Sequence, residues 1–276
     1  PAFSKRLVEL DGRFYQVGCQ PDGLAADKTA TEDYYIMTLA AIAEEMKAAG
    51  TTGAYVTLAV GCPLTRYGRE KSQLEAYLSK NTKITFKYEG TEYKVYGISH
   101  IYTYPQGYPA IVDRLSRIKG ACYLIDVGTG TTDISPISSD KSIDLAKART
   151  LQMGVSNCIS MINEAISREY QTELPANVII DVMVGRDVVL PPVIISLIEE
   201  TISSWCEILL KQLNQNKIDY RLTQTFFAGG GALLLSKYAK SIDPERSCIT
   251  YITDVTANAK GYELLAAAQS QNKQGK

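Results

Sequence analysis

Histidine is nearly missing from this sequence of 276 residues, and long apolar runs are missing altogether. The single histidine, His100, nearly excludes Ser-His-Asp, Cys-His and multi-histidine metal chemistry, and we interpret it as structural. No apolar run approaches the roughly 20 residues that span a bilayer, and the N-terminus lacks the basic-then-apolar pattern of a signal peptide. We therefore expect a cytoplasmic protein with no membrane partner.

The sequence also lacks closely spaced cysteine pairs and an excess of charge of either sign. The six cysteines lie far apart, at positions 19, 62, 122, 158, 206 and 248, and form no C-x-x-C pair. This spacing fits neither a zinc site nor a disulfide framework, so we expect reduced thiols in the core. The 29 basic and 30 acidic residues are interspersed and sum to a net charge of -1, which predicts no direct nucleic-acid binding.

The pattern of apolar residues predicts strands that alternate with helices, interrupted by hairpins, which is typical of an α/β protein. Hairpins are expected at 6–17 around Asp11-Gly12 and at 83–98 around Glu89-Gly90. Further strands are expected at 55–60, 121–126, 132–137, 178–184, 223–228 and 248–252. Helices are expected at 32–49, 69–78, 109–118, 154–169, 193–215, 232–240 and 257–269.

The stretch DVGTGTTD, from Asp126 to Asp133, follows a buried strand and carries the clearest chemistry. Gly128 and Gly130 permit a turn whose backbone N–H groups point at phosphate oxygens, and hydroxyl donors come from Thr129, Thr131 and Thr132. Carboxylates repel phosphate, so Asp126 and Asp133 are expected to hold Mg²⁺ through its water shell. No Walker G-x-x-x-x-G-K-[ST] loop is present. A purely structural glycine hairpin is the alternative.

A second glycine cluster lies in FFAGGGALLL, where Gly229, Gly230 and Gly231 connect a predicted strand to a predicted helix. A base or ribose could lie against this backbone, which has no side chains, and against the helix N-terminus. The spacing is not G-x-G-x-x-G, which argues against a dinucleotide site. Taken alone, the three glycines are explained equally well by tight packing of strand and helix.

Together these stretches resemble the actin, sugar-kinase and heat-shock chaperone ATPase superfamily. DVGTGTTDIS resembles its second phosphate motif, and FFAGGGALLL resembles its adenosine motif, in the same order and separation. Within the superfamily, LAVGCPLTRYGREKSQLEAYL is similar to a strand and helix of the bacterial plasmid-segregation actins, the ParM/StbA group. The likeness covers most of residues 55–270. It implies an actin-like two-domain fold built from duplicated ribonuclease-H-like domains.

The resemblance also implies roles for individual residues. Gln106, in Tyr-Pro-Gln-Gly, matches the position that orients the attacking water, and Asp126 joins it in the catalytic centre. Gly154 matches a glycine that approaches the ribose and phosphates before a helix that Ser156 could cap. Glu199, or its neighbour Glu200, matches an acidic residue that reaches the nucleotide. The expected cofactors are ATP or GTP, with Mg²⁺.

One feature of the superfamily has no counterpart here. Its first half opens with an Asp-x-Gly phosphate hairpin, whereas no such motif precedes residue 55. We therefore expect domain I to comprise 1–120 without its leading hairpin, completed by 255–276, and domain II to comprise 121–254. Because the sequence starts at Pro1 rather than methionine, upstream residues are expected to be missing, and without them hydrolysis is in doubt.

The leading functional hypothesis is a self-assembling filament protein that hydrolyses ATP or GTP and moves plasmid DNA. A separate centromere-binding adaptor would hold the DNA, in keeping with the balanced charge. A small-molecule kinase of the same superfamily is the enzymatic alternative, although no catalytic aspartate beside a sugar pocket can be identified. A non-catalytic actin relative that binds a partner is the third possibility.

Overall fold

The structure is a computed structural model that describes residues 6–18, 28–243, 245 and 248–274. Of residues 272–274 it describes the main chain only. The chain divides into two compact units, residues 1–104 and 105–276. Each unit contains a sheet of five strands among the described residues. The predicted α/β architecture is thus present in both units.

The first unit contains a sheet with the strand order β2-β1-β4-β5-β3. Its elements are β1 (Leu7–Leu10), β2 (Arg13–Gln16), α1 (Asp33–Ala48), β3 (Gly53–Cys62), a 3₁₀ turn (Leu64–Arg66), α2 (Tyr67–Leu78), β4 (Ile84–Tyr88) and β5 (Thr91–Pro105). The β1–β2 and β4–β5 pairs are antiparallel, as the two predicted hairpins require.

The core of the first unit lies between its sheet and its two helices. Alternate strand residues such as Val8, Phe86 and Val95 are buried against Leu39 of α1 and Leu74 of α2. This alternation follows from the period of two in a strand, which places every second side chain on the same face. Both helices occupy the positions that the apolar spacing predicts.

The second unit contains the sheet β10-β9-β6-β7-β8, in which β6, β7 and β8 are antiparallel neighbours and β6, β9 and β10 are parallel. Its elements are a 3₁₀ helix (Tyr108–Arg117), β6 (Cys122–Val127), β7 (Thr132–Ile137), β8 (Arg149–Leu151), α3 (Val155–Tyr170), α4 (Ala176–Val184), α5 (Pro192–Gln215), β9 (Thr225–Ala228), α6 (Gly230–Tyr238), β10 (Ile249–Tyr251) and α7 (Ala257–Gln274).

This second sheet is buried on both faces. Ile125, Val127 and Ile134 belong to a large cluster with α3, α5 and the fully buried Trp205. Leu124, on the other face of β6, packs with the 3₁₀ helix. A strand that is buried on both faces has a nearly continuous run of apolar residues, as β6 does at residues 122–125.

Several sequence predictions were wrong in detail. The strand predicted at 178–184 is helix α4, because Ile179, Val182 and Met183 recur at helical spacing and are buried together. The helix predicted at 109–118 is present as a 3₁₀ helix, and β8 was not predicted. Among the described residues no helix has the length and apolar character of a membrane span.

The predicted core thiols are confirmed at four positions, since Cys62, Cys122, Cys158 and Cys206 are buried and not bonded to one another. The prediction was wrong for Cys248, which is exposed next to the edge strand β10. Cys19 lies outside the described residues. In the part of the chain that is described, no group of three metal-ligating His, Cys, Asp or Glu side chains occurs.

The predicted domain division differs from the two compact units of the structure. Segments 105–120 and 255–274, both assigned to domain I, do pack together, because α7 lies along the 3₁₀ helix. They belong, however, to the same compact unit as the Asp126–Asp133 hairpin. The boundary predicted between residues 120 and 121 remains a prediction.

Candidate functional site

The Asp126–Asp133 stretch forms the predicted hairpin between β6 and β7. Its register pairs Val127 with Thr132 and Asp126 with Asp133, so the turn consists of residues 128–131. The N–H of Gly128 donates to the carbonyl oxygen of Thr131 at 2.9 Å and closes the turn. The glycine-rich sequence therefore makes a tight hairpin and not a strand-to-helix phosphate loop.

The N-terminus of α3 is bonded to this turn. The N–H groups of Val155 and Ser156 donate to the carbonyl oxygens of Gly128 and Thr129 at 3.0 and 2.8 Å. Gly154 makes the approach possible, since a Cβ on it would overlap the carbonyl of Thr129. The first N–H groups of a helix lack partners within the helix, and here the hairpin accepts two of them.

The outward N–H groups of the turn are the donors that remain. Among the described residues, none accepts a hydrogen bond from the backbone N–H of Thr129, Gly130 or Thr131. The carbonyl oxygens of Gly128 and Thr129 are held by α3, which fixes the two peptide groups that carry the N–H groups of Thr129 and Gly130. Consecutive backbone N–H groups in a turn are donors of the kind that bind anions.

The two acidic side chains of the hairpin lie on one face of the sheet, because directly paired residues in antiparallel strands point the same way. Burial raises the pKa of Asp126 above its usual value, and the nearby charge of Asp133 acts in the same direction. Asp133 accepts a hydrogen bond from the hydroxyl of Thr150 at 2.6 Å. Two neighbouring carboxylates of this kind favour a bound cation.

Asn258 links Asp126 to the turn that contains Gln106. Its Nδ2 donates to Oδ2 of Asp126 at 3.1 Å, and its Oδ1 accepts the N–H of Gly107 at 3.0 Å. The turn at Gly107 has φ 88° and ψ -60°, a conformation that favours glycine. The structure thereby holds Gly107, the neighbour of Gln106, close to Asp126, and the catalytic role of Gln106 stays a prediction.

The three glycines at 229–231 have different surroundings. A Cβ on Gly229, which has φ 80°, would collide with Oδ1 of Asp126 and the carbonyl of Val127, and one on Gly231 would overlap the side chain of Val127. A Cβ on Gly230 would meet nothing within 4 Å, and Gly230 is exposed. Gly229 and Gly231 thus serve close packing, while the exposed Gly230 has open space around its Cα.

Three sequence-based assignments need comment. The hydroxyl of Thr132 was wrongly counted among the phosphate donors, because it is buried and donates to the carbonyl of Met153 at 2.6 Å. Ser156 does not cap α3; instead the side chain of Asn157 accepts the N–H of Gly154 at 2.8 Å. Glu199 is exposed and interacts with Tyr238, at the opposite end of α6 from the glycines.

Two site residues were missed by the sequence reasoning, Asn258 and Thr150. Asn258 is the second residue of helix α7, and its partner Asp126 is 132 positions away in the sequence. Thr150 lies in β8, the unpredicted strand. Only the pairing of distant segments reveals either contact.

The donor set around the hairpin fits Mg²⁺ with a phosphate ligand. Mg²⁺ prefers oxygen ligands, retains several waters and is usually held by one or two carboxylates together with phosphate oxygens. Asp126 and Asp133 supply two such carboxylates on one face, next to the N–H groups of the turn. A phosphate group beside a hydrated cation is what this arrangement of carboxylates and N–H groups would hold.

Two protein-family models match the chain, one in its N-terminal part and one in its C-terminal part. Residues 3–108 match the family described as actin like proteins N terminal domain, and residues 124–240 match the archaeal actin homologue MreB-like C-terminal family. The two matches follow one another and together cover most of the chain. Each of these two stretches is thus similar to a family of actin-like proteins. A search of curated proteins gave no match.

Solved structures show the same fold. An archaeal actin homolog, Ta0583, in complex with ADP is 20% identical, with a TM-score of 0.74 over 95% of this chain and 89% of that one. A non-polymerisable quadruple mutant of pCBH ParM is 18% identical, with a TM-score of 0.71 over 95% and 86%. The Alp12 filament structure is 18% identical, with a TM-score of 0.60 over 96% and 84%. The predicted actin-like two-domain fold is confirmed.

Proposed function

We propose that this actin-like protein binds ATP or GTP with Mg²⁺ and assembles into filaments whose stability depends on the bound nucleotide. The observation that carries the proposal is the Asp126–Asp133 hairpin, whose turn presents the N–H groups of residues 129–131 next to two carboxylates. Two proteins of similar fold support it, since the archaeal homolog was solved in complex with ADP and Alp12 was solved as a filament.

In this proposal the phosphates lie against the hairpin turn. The N–H groups of Thr129, Gly130 and Thr131 donate to phosphate oxygens, with the hydroxyls of Thr129 and Thr131 as further donors. Through its waters, Asp126 and Asp133 would hold Mg²⁺, which would supply positive charge beside the phosphates. The ribose and base extend across Gly230, where no side chain intervenes. Gly154 shapes the phosphate side of the pocket by allowing α3 to meet the turn.

Hydrolysis is assigned to Gln106 acting beside Asp126. An amide side chain is a poor base, so Gln106 orients the attacking water by hydrogen bonding and does not remove its proton. Charge that develops on the transferred phosphoryl group is stabilised by the N–H groups of the turn. For Glu199 we propose contact with the sugar or base of the nucleotide, which must then extend from Gly230 to the Tyr238 end of α6, where Glu199 lies.

The biological role that we propose is plasmid DNA segregation in the cytoplasm. The balanced charge of 29 basic and 30 acidic residues offers no basic face, so a centromere-binding adaptor would connect the filament to DNA. Self-association is then the primary interaction of the chain, and neither nucleic acid nor membrane is bound directly.

Sedimentation of the chain with nucleotide tests the proposal. With Mg²⁺ and ATP or GTP we expect pelleting above a critical protein concentration, and with ADP or GDP we expect much less. Asp126→Asn is the matched control, because it removes the Mg²⁺ ligand with little change in volume. Absence of concentration-dependent pelleting with either triphosphate would reject filament assembly. Transfer of phosphate to a sugar faster than hydrolysis would instead support a kinase.

A further inference from the structure

We propose that Asn258 is a positioning residue that holds the Gln106–Gly107 turn against Asp126, so that the water-orienting side chain and the Mg²⁺-facing carboxylate keep a fixed separation. The proposal rests on the proposed function for its kinetic consequence. Its structural part concerns one side chain that bonds to two segments far apart in the sequence.

The chemistry of the two partners fixes the orientation of the amide. A carboxylate oxygen of Asp126 can only accept, so the Nδ2 of Asn258 must face it, at 3.1 Å. The N–H of Gly107 can only donate, so the Oδ1 of Asn258 must face that group, at 3.0 Å. Apart from a protonated aspartic acid, no other natural side chain of this length has a donor and an acceptor on the same planar group.

Asn258 is itself held in place by the packing of its helix. Gly261 lies three residues further along α7, on the same face. A Cβ on Gly261 would overlap the carbonyl of Pro109 in the 3₁₀ helix, so the two helices are in direct backbone contact. The base of the Asn258 side chain therefore has little freedom to move relative to Gly107, which begins the same segment.

The consequence concerns the rate of hydrolysis more than affinity. The two side-chain hydrogen bonds of Asn258 go to Asp126 and Gly107, not to the turn at 128–131 or to Gly230, where the nucleotide is proposed to lie. Asn258 determines where Gln106 stands relative to Asp126, and a misplacement of about 1 Å in a reacting group can lower a rate by up to roughly 100-fold. We expect the Kd for ADP to change much less than kcat when Asn258 is replaced.

Asn163 provides a matched control. It is an asparagine of the same unit, is also half-buried, and its side chain also makes two hydrogen bonds, to the N–H and the carbonyl oxygen of Leu174 at 3.0 and 3.1 Å. It lies on α3 but contacts no residue of the hairpin turn in these bonds. Replacement of Asn163 thus costs comparable hydrogen bonding without affecting the candidate site.

The test compares Asn258→Leu, Asn258→Asp and Asn163→Leu with the unchanged chain. Asn258→Leu should accelerate hydrogen exchange at the Gly107 amide and lower kcat about 10- to 100-fold, with the Kd for ADP within about threefold. Asn258→Asp retains the acceptor for Gly107 but places an oxygen against Asp126, so slow exchange should persist while kcat falls. Asn163→Leu should lower thermal stability and leave Gly107 exchange and kcat unchanged.

Failure of this inference can be told apart from failure of the proposed function. If the unchanged chain binds no nucleotide, the proposed function fails, and Gly107 exchange still decides whether Asn258 holds the turn. Unaltered Gly107 exchange in Asn258→Leu would overturn the inference whatever the nucleotide result. Equal losses of kcat in Asn258→Leu and Asn163→Leu would also overturn it, by showing that lost stability alone explains the effect.

Discussion

The two units each contain a hairpin with an Asp and a Gly near its turn, yet they use glycine for different reasons. In the β1–β2 hairpin, Asp11 and Gly12 have φ values of 50° and 75°, and a Cβ on Gly12 would meet nothing within 4 Å. In the β6–β7 hairpin neither Gly128 nor Gly130 has a positive φ. There, the glycines that matter are Gly154 and Gly229, which allow other segments to approach the hairpin.

A glycine required by the conformation of its own turn thus differs from a glycine that lets other segments approach a turn. A left-handed conformation in an exposed two-residue turn needs glycine for its own backbone only. Gly154 and Gly229 are needed for another reason, because at these positions α3 and the β9–α6 junction approach the β6–β7 hairpin too closely for a side chain. Convergence of several segments on one turn is what a binding site requires, and the first hairpin has no comparable crowding at Gly12.

The largest expected effect is that of Gly154→Ala. The new Cβ would overlap the carbonyl of Thr129, so α3 must move and the bonds from Val155 and Ser156 to the turn are lost. We expect a loss of about 3 kcal/mol in the free energy of unfolding, measured by urea denaturation. A loss below about 1 kcal/mol would show that α3 is not tightly docked on the hairpin.

A smaller effect is expected for Gly12→Ala in the first hairpin. No atom lies in the way, so the cost is only that of a left-handed alanine, about 1 kcal/mol. Nucleotide affinity should be unchanged, because this turn has no part in the proposed site. Urea denaturation and a binding titration of the same sample measure both quantities. Reduced affinity would contradict the assignment of this hairpin to turn chemistry.

The smallest effect, and one of opposite sign, is expected for Asp126→Asn without metal or nucleotide. Burial raises the folded-state pKa of Asp126 above the roughly 3.9 of an unfolded aspartate. The folded protein therefore binds this proton more tightly, and ionisation weakens the fold as the pH rises from about 4 through the raised pKa. Asparagine removes that loss, so the variant should be more stable at pH 7, by up to about 1 kcal/mol.

Thermal denaturation in EDTA at pH 3 and pH 7 measures this effect. The advantage of Asp126→Asn should be present at pH 7 and should shrink at pH 3, where the unchanged carboxyl is protonated. Asp11→Asn in the first hairpin is the matched control, since Asp11 is exposed in its turn and asparagine also tolerates a positive φ. A variant that is less stable at pH 7 would contradict the raised pKa.

Local sequence signals predicted most of the fold. Both hairpins of the first unit and helix α1 follow from turn residues and from apolar spacing, and the structure contains them. Helix α4 was mistaken for a strand because its run of β-branched residues obscures the helical spacing of Ile179, Val182 and Met183. Propensity is a weak guide where tertiary packing decides.

The candidate site was only partly predictable. The sequence located the hairpin and the glycine cluster, because both have a local pattern. It could not show that the hydroxyl of Thr132 is bonded inside the core, since Met153 lies 21 positions away. It likewise could not separate Gly230 from Gly229 and Gly231, because identical residues differ only in the neighbours that the fold brings to them.

Calorimetric titration with a non-hydrolysable ATP or GTP analogue and Mg²⁺ tests the central claim most directly, with Gly230→Val compared against the unchanged chain. We predict saturable binding by the unchanged chain and at least tenfold weaker binding by Gly230→Val, with thermal stability of the variant preserved because no atom lies within 4 Å of the new Cβ. The absence of binding by the unchanged chain, or equal affinity in the variant, would contradict the account.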